Sequence, residues 1–311
     1  MKYGFGIDLG GTTVKLACFT QEGELLEKWE IPTRLEDSGS LILPDIAGSI
    51  LNYIAEKGLQ KQDLLGAGIG VPGPVNSQGV VNRCINLGWG VFNVAETLSK
   101  LLDLPVKAGN DANVAALGEY WKGGGKDASS MVLVTLGTGV GGGIVVDGQL
   151  LHGAHGSGAE IGHMVLNHRE TVPCNCGKFG CAEQYCSATG IVRLARRAMV
   201  RSHLASPLRY LKPLTCKDIF DAGKAGDPLA LQVLDTYYRY LGELLANVCT
   251  LADPQVVVLG GGVSKAGQVL LDGVRPYFDQ YIFHAASAVD FALAALGNDA
   301  GAYGAFKLIL D

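Results

Sequence analysis

The sequence lacks the features by which membrane and nucleic-acid-binding proteins are recognised. No apolar run approaches the roughly 18 residues that a membrane span needs, and Lys and Arg are scattered without a basic block, at a net charge of −5. The first residues have no signal-peptide anatomy, and no Ser- or Pro-rich linker divides the chain. We therefore expect a cytoplasmic protein that has neither a membrane nor a nucleic acid as its partner.

Glycine and cysteine are the residues whose placement is most informative. The 44 glycines among 311 residues are about twice the usual ~7%. They cluster at 137–143 and 260–262, where we expect the backbone to approach another group closely. Three of the eight cysteines lie within eight residues, at 174–181, and in a reducing compartment this spacing favours a metal site over disulfides. The other five are scattered, and we expect them to be buried as small hydrophobic residues.

The three close cysteines and a histidine upstream form the pattern of a structural zinc site. Cys174, Cys176 and Cys181 supply thiolates, and His163 supplies an imidazole, which completes a tetrahedral shell with no open position. Glu160 and Glu183 lie at the ends of the same segment. This arrangement predicts that the metal fixes acidic side chains that bind a polyhydroxylated molecule. The alternatives are a surface charge at Glu160, a helix cap at Glu183 and a core histidine at His163.

Hydrophobic periodicity predicts an α/β chain with a weak internal repeat. Strand, glycine turn and strand follow one another at 5–16 and again at 131–146. We predict strands at 3–9, 13–20, 25–31, 65–71, 106–108, 131–136, 144–146 and 256–259, with a turn over 137–143. We predict helices at 42–55 (ending near Gly58), 112–121, 187–200, 228–251 and 266–280.

The first glycine turn combines the residue types that bind phosphate. The residues in question are Asp8, Gly10, Gly11, Thr12, Thr13 and Lys15. The glycines expose backbone N–H groups to phosphate oxygens, as in a nest. The hydroxyls add donors, the lysine supplies a point charge, and the aspartate can hold hydrated Mg²⁺. The alternative is a plain hairpin with a Gly-Gly turn.

The second glycine run predicts another phosphate-binding hairpin. Gly137, Thr138 and Gly139 open a Gly-x-Gly-x-x-Gly pattern that formally matches the dinucleotide fingerprint. That fingerprint requires a helix directly after the glycines, whereas 144–148 predicts a strand and a turn. A nicotinamide site is therefore disfavoured. Neither turn matches the Gly-x-x-x-x-Gly-Lys-[Ser/Thr] loop.

Asp111 is the candidate acid–base residue. It follows the predicted strand at 106–108 and opens a predicted helix, so a helix N-cap is the plain alternative. Phosphoryl transfer to an alcohol needs an aspartate that accepts the hydroxyl proton, and little other covalent chemistry. Asp111 lies between the two predicted phosphate hairpins in the sequence, which favours the catalytic interpretation.

These motifs resemble the ROK family of sugar kinases and repressors, within the actin-like, sugar-kinase and Hsp70 superfamily. The glycine-rich segment 153–163, followed by Cys-x-Cys-Gly-x-x-Gly-Cys-x-Glu at 174–183, carries the resemblance most specifically. Further matching segments lie at 8–15, 70–73, 109–113, 136–142 and 259–264. Segments 86–89 and 187–192 resemble the bacterial glucokinase branch, in which alanine usually stands at the position of Cys186.

The resemblance implies both a fold and an activity. The fold is a pair of ribonuclease-H-like (actin/hexokinase-like) α/β domains around a central cleft. The smaller domain would hold 1–115 and the C-terminal helix (about 300–311), and the larger domain would hold 116–299. The activity is ATP-dependent phosphorylation of the 6-hydroxyl of glucose, with Mg²⁺ and a structural Zn²⁺, in a homodimer or homotetramer. A kinase for N-acetylmannosamine, fructose, mannose or allose is the alternative. A sugar-responsive repressor is a remote one, because the chain begins at its first phosphate strand without a helix-turn-helix.

The resemblance also implies a role for each matching position. Asp111 would be the general base for the sugar 6-hydroxyl. The residues that would bind the sugar are Gly73 (through its backbone), Asn86, Asn110, Glu160, His163 and Glu183. The zinc ligands would be His163, Cys174, Cys176 and Cys181. The turn on the adenosine side would consist of Gly260, Gly261 and Gly262.

Overall fold

The computed structural model describes residues 1–310, which form two compact units. The first unit comprises 1–127, 143–159 and 295–310, and the second comprises 128–142 and 160–294. The strands are Tyr3–Leu9 (β1), Thr13–Thr20 (β2), Leu25–Pro32 (β3), Leu64–Val71 (β4), Val80–Cys84 (β5), Trp89–Asn93 (β6), Val106–Asn110 (β7), Met131–Leu136 (β8), Val140–Val146 (β9), Gln149–Leu150 (β10), Val256–Gly260 (β11) and Asp290–Leu293 (β12). The helices are Glu36–Gly39 (α1), Ile42–Lys57 (α2), Val94–Leu102 (α3), Asp111–Lys122 (α4), Glu183–Cys186 (α5), Ala188–Arg201 (α6), Cys216–Lys224 (α7), Pro228–Ala252 (α8), Gln268–Tyr281 (α9) and Ala300–Leu310 (α10).

The first unit is built on a five-stranded sheet with the order β3-β2-β1-β4-β7. The first three strands form an antiparallel meander, and β4 and β7 are parallel to β1. The three strands predicted at 3–9, 13–20 and 25–31 are confirmed. Alternation along β1 directs Phe5 and Ile7 into a core with Ile46 of α2.

The opposite face of this sheet carries α10, and glycine makes the close approach possible. A Cβ on Gly68 of β4 would lie 1.7 Å from the carbonyl oxygen of Ala305. A Cβ on Gly304 would lie 1.7 Å from the carbonyl oxygen of Val114 in α4. Any larger side chain at either position would push the backbones apart. Part of the high glycine content therefore serves the packing of helix on sheet and helix on helix.

The second five-stranded sheet has the order β10-β9-β8-β11-β12, which is the strand order of the first sheet in equivalent positions. Strands β8, β11 and β12 are parallel, as are β1, β4 and β7. The internal repeat and the ribonuclease-H-like fold class are thus confirmed. The predicted turn at 137–143 is too long, because β9 begins at Val140 and includes three glycines that read as a turn in the sequence.

The long helices of the second unit match their predicted ranges within two residues. Ser187 caps α6 by accepting a hydrogen bond from the Gly190 N–H, and Asp227 caps α8 in the same way. Helix α7 was not predicted, although Thr215 and Asp218 form a capping box at its start. Across residues 1–310, no helix combines the length and apolar character that a membrane crossing requires. The two compact units are defined by residue packing alone and do not test a functional division of the chain. The domain boundary at 115/116 therefore stays a prediction.

Candidate active site

The site residues predicted in the first unit meet at the carboxyl edge of its sheet. Asp8 of β1 is in register with Gly70 of β4, and Gly70 is in register with Gly109 of β7. A Cβ on Gly70 would lie 3.7 Å from the Cα of Asp111. The first glycine turn, the 70–73 segment and the start of α4 therefore share one edge, where open α/β sheets bind their ligands.

The first glycine turn is exposed and held by hydrogen bonds from its base. Gly11 and Thr12 are exposed at its tip. The Gly10 N–H donates to the Thr13 carbonyl at 3.1 Å, and the Thr33 hydroxyl donates to the Gly10 carbonyl at 2.7 Å. At the base, Asp8 and Lys15 face each other across β1 and β2, with 3.4 Å between Lys15 Nζ and Asp8 Oδ2. The tip thus offers backbone N–H groups and hydroxyls to an anion.

Asn110, and not Asp111, caps helix α4. The Asn110 Oδ1 accepts hydrogen bonds from the N–H groups of Ala112 and Asn113, at 3.0 and 3.1 Å. Its amide nitrogen donates to the Gly73 carbonyl at 3.0 Å. Asp111 is the first residue of the helix, is half-buried, and accepts from the Ala112 N–H through Oδ1 at 2.8 Å. The N-cap alternative for Asp111 is therefore wrong, and Asn110 links the helix start to the 70–73 segment.

The segment before Asn86 approaches the same edge. A Cβ on Gly73 would lie 3.6 Å from the Cβ of Cys84. Burial raises the pKa of the Cys84 thiol, and the nearby charge of Asp111 raises it further. Asn86 lies two residues on, in a short 3₁₀ turn at Ile85–Leu87, and is exposed. Gly73, Asn86, Asn110 and Asp111 therefore belong to one neighbourhood in the first unit.

In the second unit, the glycine turn between β8 and β9 is held from three sides. Glu183 Oε2 accepts a hydrogen bond from the Val140 N–H at 3.2 Å. The Thr189 hydroxyl donates to the Thr138 carbonyl at 2.8 Å. Gly261, with a φ of 82°, packs so closely that a Cβ would lie 2.6 Å from the Leu136 carbonyl oxygen. The turns at Gly137–Gly139 and Gly260–Gly262 therefore lie side by side at the carboxyl edge of this sheet.

The predicted zinc ligands come together in the second unit. One ligand atom from each of His163, Cys174, Cys176 and Cys181 lies within 4.8 Å of the others. The Sγ atoms of Cys176 and Cys181 are 3.6 Å apart, and His163 Nδ1 is 4.0 Å from Cys174 Sγ. A tetrahedral Zn²⁺ with bonds of about 2.3 Å to sulfur separates its ligand atoms by about 3.8 Å. The four side chains fit this ion, and His163 is not a core histidine.

The loops that carry these ligands are shaped by backbone bonds and by one glycine. The Cys174 N–H donates to the Lys178 carbonyl at 2.7 Å, and the Gly177 N–H donates to the Cys174 carbonyl at 2.9 Å. Gly180, with a φ of 76°, lies where a Cβ would be 1.9 Å from the Asn167 carbonyl oxygen. The spacing Cys-x-Cys-Gly-x-x-Gly-Cys is therefore the spacing of a tight hairpin that returns its last thiol to the first two.

The two glutamates of this segment differ in their surroundings. Glu160 is exposed, and its carbonyl accepts from the His163 N–H at 3.1 Å. Glu183 lies between the metal cluster and the glycine turn, because its Oε1 is 3.6 Å from Cys174 Sγ while its Oε2 accepts from Val140. Glu183 does not cap a following helix, since Ser187 caps α6. The sequence did not indicate that Glu183 joins Cys174 to the glycine turn, or that Thr189 supports this turn. Thr189 does lie in segment 187–192, which resembles the glucokinase branch.

Glu170 connects the loop before Cys174 to α6 through ion pairs. Its carboxylate is 2% exposed and accepts from both guanidinium nitrogens of Arg197, each at 2.9 Å, and from the Tyr185 hydroxyl at 2.5 Å. Arg193 lies 2.8 Å away. The Arg197 hydrogen bonds, helped by Tyr185, hold the pKa of Glu170 well below its usual value of 4.5.

Glu170→Gln should destabilise the protein by about 2–4 kcal/mol at neutral pH, because it leaves arginines without their buried carboxylate. A folded pKa below the unfolded one contributes stability above about pH 4.5, and this contribution is lost as the pH falls towards the folded pKa. The wild-type advantage in urea unfolding should therefore be full at pH 7 and shrink at pH 3.5. Glu96→Gln, which removes an exposed pair with Lys100, is the control and should change little. An equal loss at both pH values would contradict this assignment.

Two such sheets with glycine turns at their carboxyl edges define the actin/hexokinase-like class of proteins. The chain belongs to the ROK family, whose sequence model matches residues 4–311. A glucokinase of Halalkalibacterium halodurans is 44% identical over 309 residues, which cover 98% of this chain and 94% of the relative. An N-acetylgalactosamine kinase, AgaK, of a Shewanella species is 32% identical and covers 98% of this chain and 96% of the relative.

A solved structure of a ROK family glucokinase from Streptomyces griseus, in complex with glucose and AMPPNP, has the same fold. The TM-score is 0.76 at 31% identity, and the match covers 98% of each chain. The similarity therefore extends over both units and is not confined to a shared motif.

Proposed function

We propose that this protein is an ATP-dependent hexose kinase that phosphorylates the 6-hydroxyl of glucose, a glucokinase. The observation that carries the proposal is the placement of Asp111. Asp111 directly follows β7 at the carboxyl edge of the first sheet, the edge that also carries the exposed glycine turn, while Asn110 caps the helix. Similarity to the glucokinase of H. halodurans along 98% of the chain supports the same activity.

The proposal assigns hexose binding to the positions at which the chain matches its family. Asn110, Asn86 and the backbone at Gly73 would bind ring hydroxyls. Glu160, His163 and Glu183 would have the same role. A carboxylate has about four acceptor sites, so the contacts of Glu183 with Cys174 and Val140 leave room for a hydroxyl donor. His163 directs Nδ1 towards the Cys174 thiol, and its Nε2 would donate to a sugar hydroxyl.

Asp111 would act as the general base of the transfer. The 6-oxygen bonds to the γ-phosphorus of ATP, the bond from that phosphorus to the bridging oxygen breaks, and ADP leaves. The hydroxyl proton passes to the Asp111 carboxylate and from there to solvent. The turns at 10–13 and 137–139 would donate hydrogen bonds to phosphate oxygens, where charge is spread in the transition state. Gly260–Gly262 would bind on the adenosine side.

The two metals would have different duties. Asp8 and the exposed hydroxyls of the first turn are hard oxygen donors that fit Mg²⁺, and Mg²⁺ neutralises phosphate charge when bound. His163, Cys174, Cys176 and Cys181 would hold Zn²⁺ as a closed structural site. Because Glu183 approaches Cys174 and His163 would itself be a ligand, Zn²⁺ would fix the orientation of sugar-binding groups.

The experiment that tests the function is a panel of sugars in a coupled assay of ADP release. Glucose should give the highest kcat/KM among glucose, mannose, fructose, allose and N-acetylmannosamine. The panel also includes N-acetylgalactosamine, because the N-acetylgalactosamine kinase AgaK is 32% identical to this chain. Nuclear magnetic resonance of the product should place the phosphate on the 6-oxygen. A higher kcat/KM for an N-acetylated sugar would replace glucose as the substrate, and no ADP release with any sugar would end the proposal.

Thr189→Val should raise the KM for ATP by roughly 3- to 10-fold, because it removes the hydroxyl that holds the Thr138 carbonyl, a bond worth about 0.5–1.5 kcal/mol. The KM for glucose should change much less. Thr97→Val removes a similar hydroxyl-to-carbonyl bond in α3 and should leave both constants unchanged. A shift in the glucose KM alone would show that Thr189 supports the sugar side.

A further inference from the structure

A cavity of about 730 Å³ lies in the second unit, between α6, α8 and the loop at 167–171. Its lining includes no residue assigned above to the hexose, the nucleotide or zinc. The charged residues of the lining are Arg169, Glu170, Arg197, Arg201 and Arg239. Four arginines from three segments of the chain thus surround one cavity in a protein whose net charge is −5.

The positive charge of this cavity is not balanced by its single acid. Glu170 is already satisfied by Arg197 and by Arg193 behind it. Arg169, Arg201 and Arg239 form no ion pair with any carboxylate in the described part of the chain. Arg169, Arg201 and Arg239 are exposed towards solvent. Three positive charges therefore remain for a ligand.

A stack of aromatic rings holds one of these arginines in position. The guanidinium of Arg239 lies 4.8 Å from the ring centroid of Tyr240, and Tyr240 stacks on Tyr185 with 4.3 Å between centroids. Tyr185 in turn is fixed by its hydrogen bond to Glu170. A guanidinium that stacks on a ring keeps its N–H donors in its own plane, where they suit the oxygens of a phosphate. The lining contains no lysine.

The cavity is large enough for a metabolite, and the rest of its lining combines polar side chains with the apolar Leu194, Ala198 and Val233. Asn167, Ser202, Gln232 and Thr236 supply amides and hydroxyls. Pockets for small molecules typically measure about 300–1,000 Å³. A ligand that combines phosphoryl groups with hydroxyls would match both the arginines and these polar side chains.

We propose that this cavity is a second ligand site, which binds a phosphate-bearing small molecule such as a sugar phosphate or a short polyphosphate. Arg169, Arg201 and Arg239 bind the phosphoryl oxygens. Arg197 and Glu170 form the fixed floor of the site. The lining shares no residue with the phosphate turns at 10–13 and 137–139.

The test is calorimetric titration of the full chain, saturated with glucose, with glucose 6-phosphate and in parallel with inorganic tripolyphosphate. Glucose keeps glucose 6-phosphate out of the hexose site, and tripolyphosphate is expected to fill both the nucleotide site and the cavity. The double variant Arg201→Gln, Arg239→Gln should weaken binding at the cavity by at least about 10-fold for each lost charge-assisted contact. Arg196→Gln, an exposed arginine of α6 outside the cavity, is the matched control.

The two probes separate the possible sources of phosphate. Tighter binding of glucose 6-phosphate supports a sugar phosphate, and tighter binding of tripolyphosphate supports a polyphosphate. The site is refuted if neither probe binds below about 10 mM, or if the double variant binds as the wild type does. It is also refuted if the double variant changes only the oligomeric state in sedimentation, because the arginines would then contact a second copy of the chain. The comparison of variant with wild type does not depend on the kinase assignment.

Discussion

Asp111→Asn should lower the kcat for glucose phosphorylation by about 10²- to 10⁴-fold, the usual contribution of a general base. The amide has the same size as the carboxylate but cannot accept the hydroxyl proton. The KM for glucose should change by no more than a few-fold, because Asn110 and the 70–73 segment keep their hydrogen bonds. Steady-state kinetics with purified protein provides the measurement, and Asp111→Ala should show the same loss.

The fold should tolerate this substitution. Helix α4 is capped by Asn110, and an Asn side chain at position 111 keeps an oxygen that can accept from the Ala112 N–H. Loss of the interaction between the carboxylate and the helix dipole should cost about 0.3–1 kcal/mol. Glu96→Gln is the matched control, because Glu96 also lies in the first turn of a helix, in α3, and pairs only with the exposed Lys100. It should retain the wild-type rate. A rate for Asp111→Asn equal to that of the wild type would remove Asp111 from the mechanism.

Cys176→Ser should remove the bound zinc and weaken the affinity for glucose. Cys176 is the exposed thiol of the cluster, so the change disturbs packing little, but a neutral hydroxyl cannot replace a thiolate ligand. Substitution of a residue that only hydrogen-bonds a metal ligand typically lowers metal affinity by about 10- to 100-fold. Because Cys176→Ser removes a ligand itself, we expect zinc affinity to fall by at least about 100-fold. Since metal binding contributes directly to folding free energy, the melting temperature should fall as well.

The control for the zinc experiment is Cys216→Ser at the start of α7. Cys216 is half-buried and lies outside the cluster, and burial raises the pKa of its thiol to about 11. This variant should keep one zinc per chain and the wild-type affinity for glucose. Metal analysis and glucose titration before and after chelation provide the measurement. Intact sugar affinity in protein without zinc would show that the metal does not brace the sugar-binding residues.

Helices and strands with a regular hydrophobic period, or with a glycine that marks their end, could be predicted from the sequence. The hairpin at 3–20 alternates strictly around a Gly-Gly turn, and α2 ends where Gly58 adopts a left-handed conformation. The meeting of three cysteines with His163 was predictable because the Cys-x-Cys-Gly-x-x-Gly-Cys spacing is that of a metal-binding hairpin. The start of β9 was not, because Gly141, Gly142 and Gly143 lack side chains, and neighbouring strands, not local preference, place them in the sheet.

The partners of individual side chains were beyond the sequence. In the sequence Glu183 is an acid two residues after Cys181, yet its carboxylate accepts a hydrogen bond from the Val140 N–H, 43 residues away in the chain. Similarly, the arginines of α6 look scattered among apolar residues. Only the fold brings Arg169 and Arg239 beside them to form one cavity. Such contacts depend on tertiary packing, which local pattern does not report.

We propose that Asp111 accepts the proton of the sugar 6-hydroxyl. A crystal structure of this chain with glucose and a non-hydrolysable ATP analogue would test this role. We expect a carboxylate oxygen of Asp111 within about 2.6–3.2 Å of the 6-oxygen, with the γ-phosphate on the far side of that oxygen. A complex in which the Asp111 carboxylate points away from the primary alcohol, or in which another acid makes that contact, would contradict it.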